Sequence, residues 1–127
     1  MKLVLDTNRY SDLGRGEPEV VALLVAAEAI AVPVIVLGEL RTGFRQGNRE
    51  AQNEAALQKF LAQKDVRVLS VDSATSFIYA ALEAELRTRG TPIPTNDVWI
   101  AALTLQHGLS LYTRDPHFNY LPQVPQV

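Results

Sequence analysis

The first residues constrain the fold of this chain more than any other stretch. Leu3, Val4 and Leu5 form a short apolar run without polar alternation, which is typical of a strand buried on both faces in a parallel sheet. The run ends in an acid, Asp6, and the carboxyl ends of such strands face the crevice where open α/β sheets bind ligands. Because a carboxylate is costly to desolvate, Asp6 needs a hydrogen-bond donor, a cation or a metal beside it.

The rest of the chain alternates between strand and helix patterns, which predicts a three-layer α/β/α domain with a mostly parallel central sheet. We expect strands at residues 1–5, 31–37, 66–71 and 109–113, and helices at residues 19–30, 39–46, 49–64, 73–89 and 97–107. The segment 9–17 is short and mixes polar with apolar residues, so no helix or strand is predicted there. Pro33 indicates that the second strand starts there or pairs on one side only. The domain is expected to span residues 1–120, with residues 121–127 as a loose, Pro-containing tail.

Capping residues mark the ends of two helices. Asp72-Ser73 offers an N-cap and Gly90 a stop for the helix at 73–89. Thr95 or Asn96 is expected to cap the last helix. The apolar face of the helix at 73–89 is expected to contain Phe77, Ala80, Ala81 and Ala84.

Composition excludes several classes of protein. The 127 residues are 47% apolar, which indicates a folded domain, and they include no cysteine. A disulfide scaffold, a thiol nucleophile and a Cys-ligated metal are therefore excluded. The net charge of −2 does not by itself indicate nucleic-acid binding, which depends on local patches. Because no signal-peptide pattern and no apolar run of membrane-spanning length occur, we expect a cytoplasmic protein.

Four acids fall at the edges of predicted elements: Asp6 and Asp115 end strands, Glu39 follows one, and Asp97 opens a helix behind a proline turn. Asp6, Asp97 and Asp115 taken singly are more simply explained as turn, capping or first-turn residues, whereas Glu39 is harder to explain in that way because its surroundings are apolar. Strand ends of a parallel sheet share one rim, however, so the four carboxylates are expected to converge. Carboxylates packed closely repel unless a cation holds them ionised, and such oxygen ligands suit Mg²⁺ or Mn²⁺.

Four segments, in this order, carry a resemblance to a known family: LDTN at 5–8, VLGEL at 36–40, PTNDVWIAA at 94–102, and GL through TRD at 108–115. With them the chain resembles PIN domains and, more narrowly, the VapC-type toxins of bacterial toxin–antitoxin pairs. The resemblance covers nearly the whole chain. It implies a metal-dependent endoribonuclease whose metal-activated water cleaves RNA to leave a 5′-phosphate and a 3′-hydroxyl.

The resemblance also implies roles for individual residues. The residues that match the catalytic, metal-binding cluster are Asp6, Glu39, Asp97 and Asp115, and the cluster is expected to hold Mg²⁺ or Mn²⁺. The residues that match its hydrogen-bonding supports are Thr7, Asn8, Asn96 and Thr113. The expected partners are RNA, a second copy of the chain in a homodimer, and a VapB-like antitoxin that wraps the toxin and reaches into its acidic cleft.

The basic and aromatic residues indicate function less specifically than the four acids do. Arg9 stands where many members of the family have an aliphatic residue; it is a candidate to hold RNA phosphate or the resting carboxylates, or a surface side chain. Arg41 and Arg45, with Arg49, would form a stripe tracking RNA if the helix continued through Gly47, and a solvated helix face explains them equally well. The residues assigned to helix end, loop or core rather than to catalysis are His107, His117, Trp99 and Phe118.

Two alternatives stay open. The first is a non-catalytic PIN-like module that binds RNA or protein; the four acids argue against it, because a carboxylate cluster without metal repels RNA. The second is a phosphoaspartyl phosphohydrolase, whose opening motif resembles residues 6–8. That chemistry wants a second acid where Asn8 stands and a late lysine, yet the last lysine is Lys64.

Overall fold

A four-stranded, all-parallel sheet forms the centre of the protein, and its strand order is β3-β2-β1-β4. The computed structural model describes residues 1–127. The strands are β1 (Lys2–Leu5), β2 (Ala29–Pro33), β3 (Val66–Leu69) and β4 (Ser110–Tyr112). The helices are α1 (Thr7–Gly14), α2 (Pro18–Ala26), α3 (Val34–Gln46), α4 (Glu50–Leu61), α5 (Ser73–Arg89) and α6 (Thr95–Gln106), followed by a 3-10 turn at Pro116–Tyr120. The predicted α/β fold with a parallel sheet is confirmed.

Strand β1 lies in the interior of the sheet. It pairs with β2 through Leu3 and Ile30 and with β4 through Val4 and Leu111, and its apolar residues are fully buried. A strand flanked on both sides and covered on both faces must be apolar throughout, which explains the run that ends at Leu5. Its carboxyl end therefore opens at the middle of the rim, with the ends of β2 and β4 on either side.

The prediction of a strand over residues 31–37 is wrong in its second half. Strand β2 ends at Pro33, and helix α3 begins at the next residue. Both expectations for this strand are wrong, because β2 ends at Pro33 instead of starting there and pairs with β1 on one side and β3 on the other; Pro33 itself pairs only with Leu69 of β3. A short apolar run cannot be told from a buried helix by periodicity alone, and Val36 and Leu37 are buried on α3. Glu39 was predicted to open a helix directly after this strand; it instead lies inside α3, whose first residue is Val34.

Helix α1 occupies residues that received no assignment from the sequence. Asp6 is its N-cap, with extended backbone and a side chain that accepts a hydrogen bond from the Thr7 amide. Tyr10 and Leu13, three residues apart on the helix, pack partly buried against the core, and the one buried residue is the acid Asp12. The predicted helix at 19–30 is shorter than expected, because α2 ends at Ala26 and the chain turns into β2.

Two helix predictions fail in detail. The face of α5 expected to be apolar lies outside the core: Phe77 is 77% exposed, whereas Leu82 and Leu86 are buried. The N-cap at Asp72 and the stop at Gly90 are confirmed, since Asp72 forms a capping box and Gly90 has a φ of 68°. Helix α6 starts at Thr95, two residues earlier than expected, so its N-cap is Pro94 and neither Thr95 nor Asn96 caps it.

The C-terminal residues pack against β4 instead of forming a loose tail. Leu121 and Val124 are buried. The Leu111 amide donates to the Pro125 carbonyl over 2.8 Å, and the Val127 amide donates to the Leu111 carbonyl over 2.9 Å. The expectation of a loose tail is therefore wrong, because apolar side chains and backbone hydrogen bonds hold this segment. None of the helices is both long and apolar enough to cross a membrane.

Candidate active site

Asp6 lies at the end of β1 and is 4% exposed. Its Oδ1 accepts a hydrogen bond from the Thr7 amide (2.8 Å), and its Oδ2 accepts from Thr113 Oγ1 (2.6 Å) and Asn8 Nδ2 (3.2 Å). Burial raises the pKa of Asp6 above its ordinary range, and the hydrogen bonds from Thr113 and Thr7 oppose that shift only in part. The carboxylate is thus oriented by neutral donors, which leave its negative charge uncompensated.

The Thr113 hydroxyl connects β1 to the segment that follows β4. It donates to Asp6 and accepts hydrogen bonds from Asn8 Nδ2 (3.2 Å) and from the Asp115 amide (3.0 Å). Asn8 Oδ1 in turn accepts from the Arg114 amide over 3.2 Å. Because one hydroxyl contacts three groups, the positions of the first and last acids are fixed relative to each other.

Glu39 reaches the same region from α3. Its Oε1 accepts a hydrogen bond from Thr7 Oγ1 (2.6 Å), and its Oε2 accepts from Asn96 Nδ2 at a longer 3.4 Å. An open cleft of about 550 Å³ adjoins this carboxylate and is lined by Ile35, Gly38, Glu39, Thr42 and Asn96. Glu39 is therefore held between the start of α1 and the start of α6, with its carboxylate on a solvent-filled space.

Asp97 and Asp115 form the other half of the site, with His117 between them. His117 Nδ1 lies 3.0 Å from Asp97 Oδ2 and 3.1 Å from Asp115 Oδ1. Burial raises the pKa of Asp97 to about 6; repulsion by Asp115 and Asp6 adds to this shift, and the contact with His117 opposes it. One ligand atom from each of Asp97, Asp115 and His117 lies within 4.8 Å of the other two.

These four acids, expected to converge, are close enough to affect one another. The charges of Glu39 and Asp115 both raise the pKa of Asp6. Carboxylate oxygens and an imidazole nitrogen are suitable donors for a divalent cation, and no arginine or lysine side chain lies among the four acids. The acidic cluster is therefore compatible with a metal site.

His117 is the residue that sequence reasoning missed. A histidine two positions after a candidate acid, behind Pro116, is a weak signal, and its nearness to Asp97 depends on a contact across 20 positions. Pro116 begins the 3-10 turn, and Asp115 caps that turn by accepting from the His117 amide over 2.9 Å. The turn directs the imidazole back toward the acids.

The candidate RNA-contacting arginines lie outside the cluster. Arg9 donates to Asp12 over 3.2 Å, and its guanidinium lies 4.6 Å from the centre of the Tyr112 ring, so it does not neutralise the four acids. Arg41 forms two hydrogen bonds of 3.0 Å with Glu54 of α4. Arg45 is exposed, and because α3 ends at Gln46 the stripe with Arg49 is not continuous.

A buried acid beside the site forms ion pairs with three arginines. Asp12 accepts hydrogen bonds from Arg9, from Arg15 and, through both carboxylate oxygens, from Arg114 (3.0 and 3.2 Å). The hydrogen bonds from Arg114 hold the pKa of Asp12 below its usual range. Since Arg114 adjoins Asp115 in the chain, this positive cluster borders the acidic one.

Comparison with known proteins identifies the family. The PIN domain family matches residues 3–123. Ribonuclease VapC4 of Mycobacterium tuberculosis is 33% identical over 96 residues, which cover 76% of this chain and 74% of that protein. VapC ribonuclease Y4jK of Sinorhizobium fredii is 36% identical over 121 residues, covering 89% and 86%. The structure of VapBC2 from Rickettsia felis bound to a DNA fragment from their promoter superimposes with a TM-score of 0.86 at 27% identity, covering 100% and 98%. The chain belongs to the PIN-domain family, in its VapC ribonuclease group.

Proposed function

We propose that this protein is a metal-dependent endoribonuclease, the toxin of a type II toxin–antitoxin pair. The observation that carries the proposal is the convergence of Asp6, Glu39, Asp97 and Asp115, with the pKa of Asp6 and of Asp97 raised by burial and mutual repulsion. Carboxylates that are crowded in this way stay ionised at neutral pH most readily when a cation lies among them. Membership of the VapC group supports the same activity.

Mg²⁺ or Mn²⁺ is the ion that we propose for the site, held by Asp97 and Asp115 with Asp6 and Glu39 beside them. When bound, such an ion lowers the pKa of its water and stabilises the charge that develops on a phosphodiester. The chain's own residues orient the ligands: Thr113, with Asn8, fixes Asp6, while Thr7 and Asn96 fix Glu39. Glu39 faces the cleft and is the carboxylate best positioned to accept a proton there.

The RNA backbone is proposed to run from the acidic cleft across the arginines held by Asp12. Three guanidinium groups against the two carboxylates of Asp12 and the nearby Glu17 leave one net positive charge. Asn8 and Asp12 are four residues apart on one face of α1, a rise of roughly 6 Å. That distance is comparable to the spacing between neighbouring phosphates of one strand. Arg41 is occupied by Glu54, so it is a poorer candidate than Arg114, and Arg45 is an exposed alternative.

A VapB-like antitoxin is the proposed partner, because the similar solved structures include VapBC complexes. An apolar groove of about 150 Å³ would accept an apolar segment of such a partner, and one of its walls, Val25, is 81% exposed. The groove is lined by Leu13, Val21, Leu24, Val25, Ile30, Phe60 and Gln63. Homodimer formation remains part of the proposal, as does a cytoplasmic location, where RNA is available to such an enzyme.

The test is RNA cleavage by antitoxin-free protein with Mg²⁺, with Mn²⁺ and with chelator. The variants are Asp6→Asn and Asp97→Asn, with Asp65→Asn as the matched control because Asp65 is an exposed acid far along the chain from the site. We expect metal-dependent cleavage by the wild type and the control, and loss of cleavage in both site variants with the fold retained. Metal binding without metal-dependent cleavage of any RNA would contradict the proposed ribonuclease activity. If neither metal binding nor cleavage is detected, the proposal of an enzyme would give way to that of a non-catalytic binding module.

A further inference from the structure

We propose that His117 Nδ1 is a direct ligand of the divalent ion, which gives this site one nitrogen donor among carboxylate oxygens. The inference deepens the proposed function, on which it rests for the presence of a metal. Its basis is the position of the imidazole between Asp97 and Asp115.

The distances around the imidazole suit shared coordination. Adjacent ligands of an octahedral ion with bonds of about 2.1 Å are separated by roughly 3 Å. His117 Nδ1 lies 3.0 Å from Asp97 Oδ2 and 3.1 Å from Asp115 Oδ1. The three donor atoms lie within 4.8 Å of one another, so small side-chain rotations bring all three to one ion. One cation can therefore contact all three without a rearrangement of the backbone.

The local structure fixes the histidine in this position. Pro116 sets the start of the 3-10 turn, and the His117 amide donates to Asp115 Oδ1 over 2.9 Å. Phe118, the next residue, is fully buried and anchors the turn in the core. The His117 side chain is 44% exposed, which leaves room for the waters that such ions keep. Nδ1 is the ring nitrogen that contacts both acids.

A nitrogen ligand changes which metal the site prefers. Mg²⁺ takes oxygen ligands almost exclusively, whereas imidazole is a ligand of transition metals. An all-carboxylate site would discriminate weakly between Mg²⁺ and Mn²⁺. With His117 as a ligand, the site binds Mn²⁺ in preference to Mg²⁺, and the preference depends on this side chain.

The competing role is a positioning one, in which the imidazole only donates a hydrogen bond to the two carboxylates. Loss of His117 would then weaken the binding of Mn²⁺ and of Mg²⁺ to a similar extent. A direct ligand predicts an unequal loss, large for Mn²⁺ and small for Mg²⁺. It also predicts a magnetic coupling between the metal and the histidine nitrogen, which an outer hydrogen bond does not give.

The test uses Mn²⁺ bound to the full chain, with pulsed electron paramagnetic resonance to detect a directly bound ¹⁴N. The chain has two histidines, so His107, at the end of α6, supplies the matched control His107→Ala. We expect ¹⁴N coupling in the wild type and in the control, and its loss in His117→Ala. We expect the Mn²⁺ dissociation constant of His117→Ala to rise at least tenfold and the Mg²⁺ constant to rise by less.

A second measurement covers the case in which His117→Ala fails to fold. Wild-type protein labelled with ¹⁵N-histidine should replace the ¹⁴N coupling by a ¹⁵N coupling. Mn²⁺ binding by the wild type without any histidine coupling would overturn the inference and leave the proposed function standing. An equal loss of Mn²⁺ and Mg²⁺ affinity in His117→Ala would overturn the inference as well. Failure of the wild type to bind either metal would contradict the proposed function and the inference together.

Discussion

The ion cluster around Asp12 gives a sharp test of what holds α1 against the end of β4. Replacing Asp12 with Asn keeps the shape of the side chain and removes the charge that three guanidinium groups share. Breaking a buried ion pair by removing one partner costs about 3–5 kcal/mol. Arg15 and Arg114 are more than half exposed and keep much of their hydration, so we expect a loss of about 2–3 kcal/mol. For a chain of this size that loss lowers Tm by about 7–11 °C.

The pH dependence of this loss has a definite sign. The pKa of Asp12 is lower in the folded protein than its ordinary value of 3.8. The ionised carboxylate therefore stabilises the fold above pH 3.8, and the contribution disappears as the pH falls through the folded-state pKa. We expect the wild type and Asp12→Asn to differ most between pH 5 and 8 and to converge toward pH 3.

The assay is urea and thermal unfolding of both proteins in chelator, at pH 7 and at the lowest pH where both remain folded. Asp65→Asn is the control, since an exposed acid should change the free energy of unfolding by less than about 0.5 kcal/mol. Equal stability of Asp12→Asn and wild type at pH 7 would refute the reasoning. So would a difference that persists unchanged at low pH.

Three further predictions concern the acidic site and its border. The pKa of Asp97 is raised to about 6, so its ionisation destabilises the metal-free fold as the pH rises from 3.8 through 6. In chelator, the free energy of unfolding of Asp97→Asn should exceed that of the wild type by about 1–3 kcal/mol between pH 5 and 8. Equal free energies in urea unfolding would contradict the raised pKa. Thr113→Val should lower the RNA cleavage rate roughly 10- to 100-fold while Thr113→Ser retains most of it, and an unchanged rate in Thr113→Val would leave Thr113 a strand-end residue only. Arg114→Gln should reduce the slope of RNA affinity against salt concentration by about 0.7, whereas Arg114→Lys should keep it; an unaltered slope in Arg114→Gln would remove this arginine from the RNA path.

Part of the fold and of the candidate site could be predicted because it depends on local patterns. The apolar run before Asp6 specifies an interior strand, and the acid after it lies on the rim. Asp72 and Gly90 delimit α5 through capping chemistry that needs only neighbouring residues. Glu39 was predicted beside the other acids at the start of a helix; it lies inside α3, since residues 34–37, equally apolar as strand or helix, belong to that helix.

The rest depends on contacts between distant positions. Asp12 is buried because Arg114, 102 residues away, covers it, and no pattern within α1 indicates this. His117 meets Asp97 only after α6 and the 3-10 turn have packed together. The tail residues are too few and too rich in proline to signal packing, yet Leu121 and Val124 complete the core.

The attachment of the last residues to β4 has a consequence for association between molecules. β4 is an outermost strand of the sheet, and an open strand edge can recruit a strand from another chain and start aggregation. The carbonyl of Pro125 and the amide of Val127 occupy the amide and carbonyl of Leu111, at the middle of that edge. The chain thus blocks its own edge at the strand that leads into Thr113 and Asp115. A chain shortened at residue 120 would present this edge to other molecules, and self-association would compete with access to the acidic cleft.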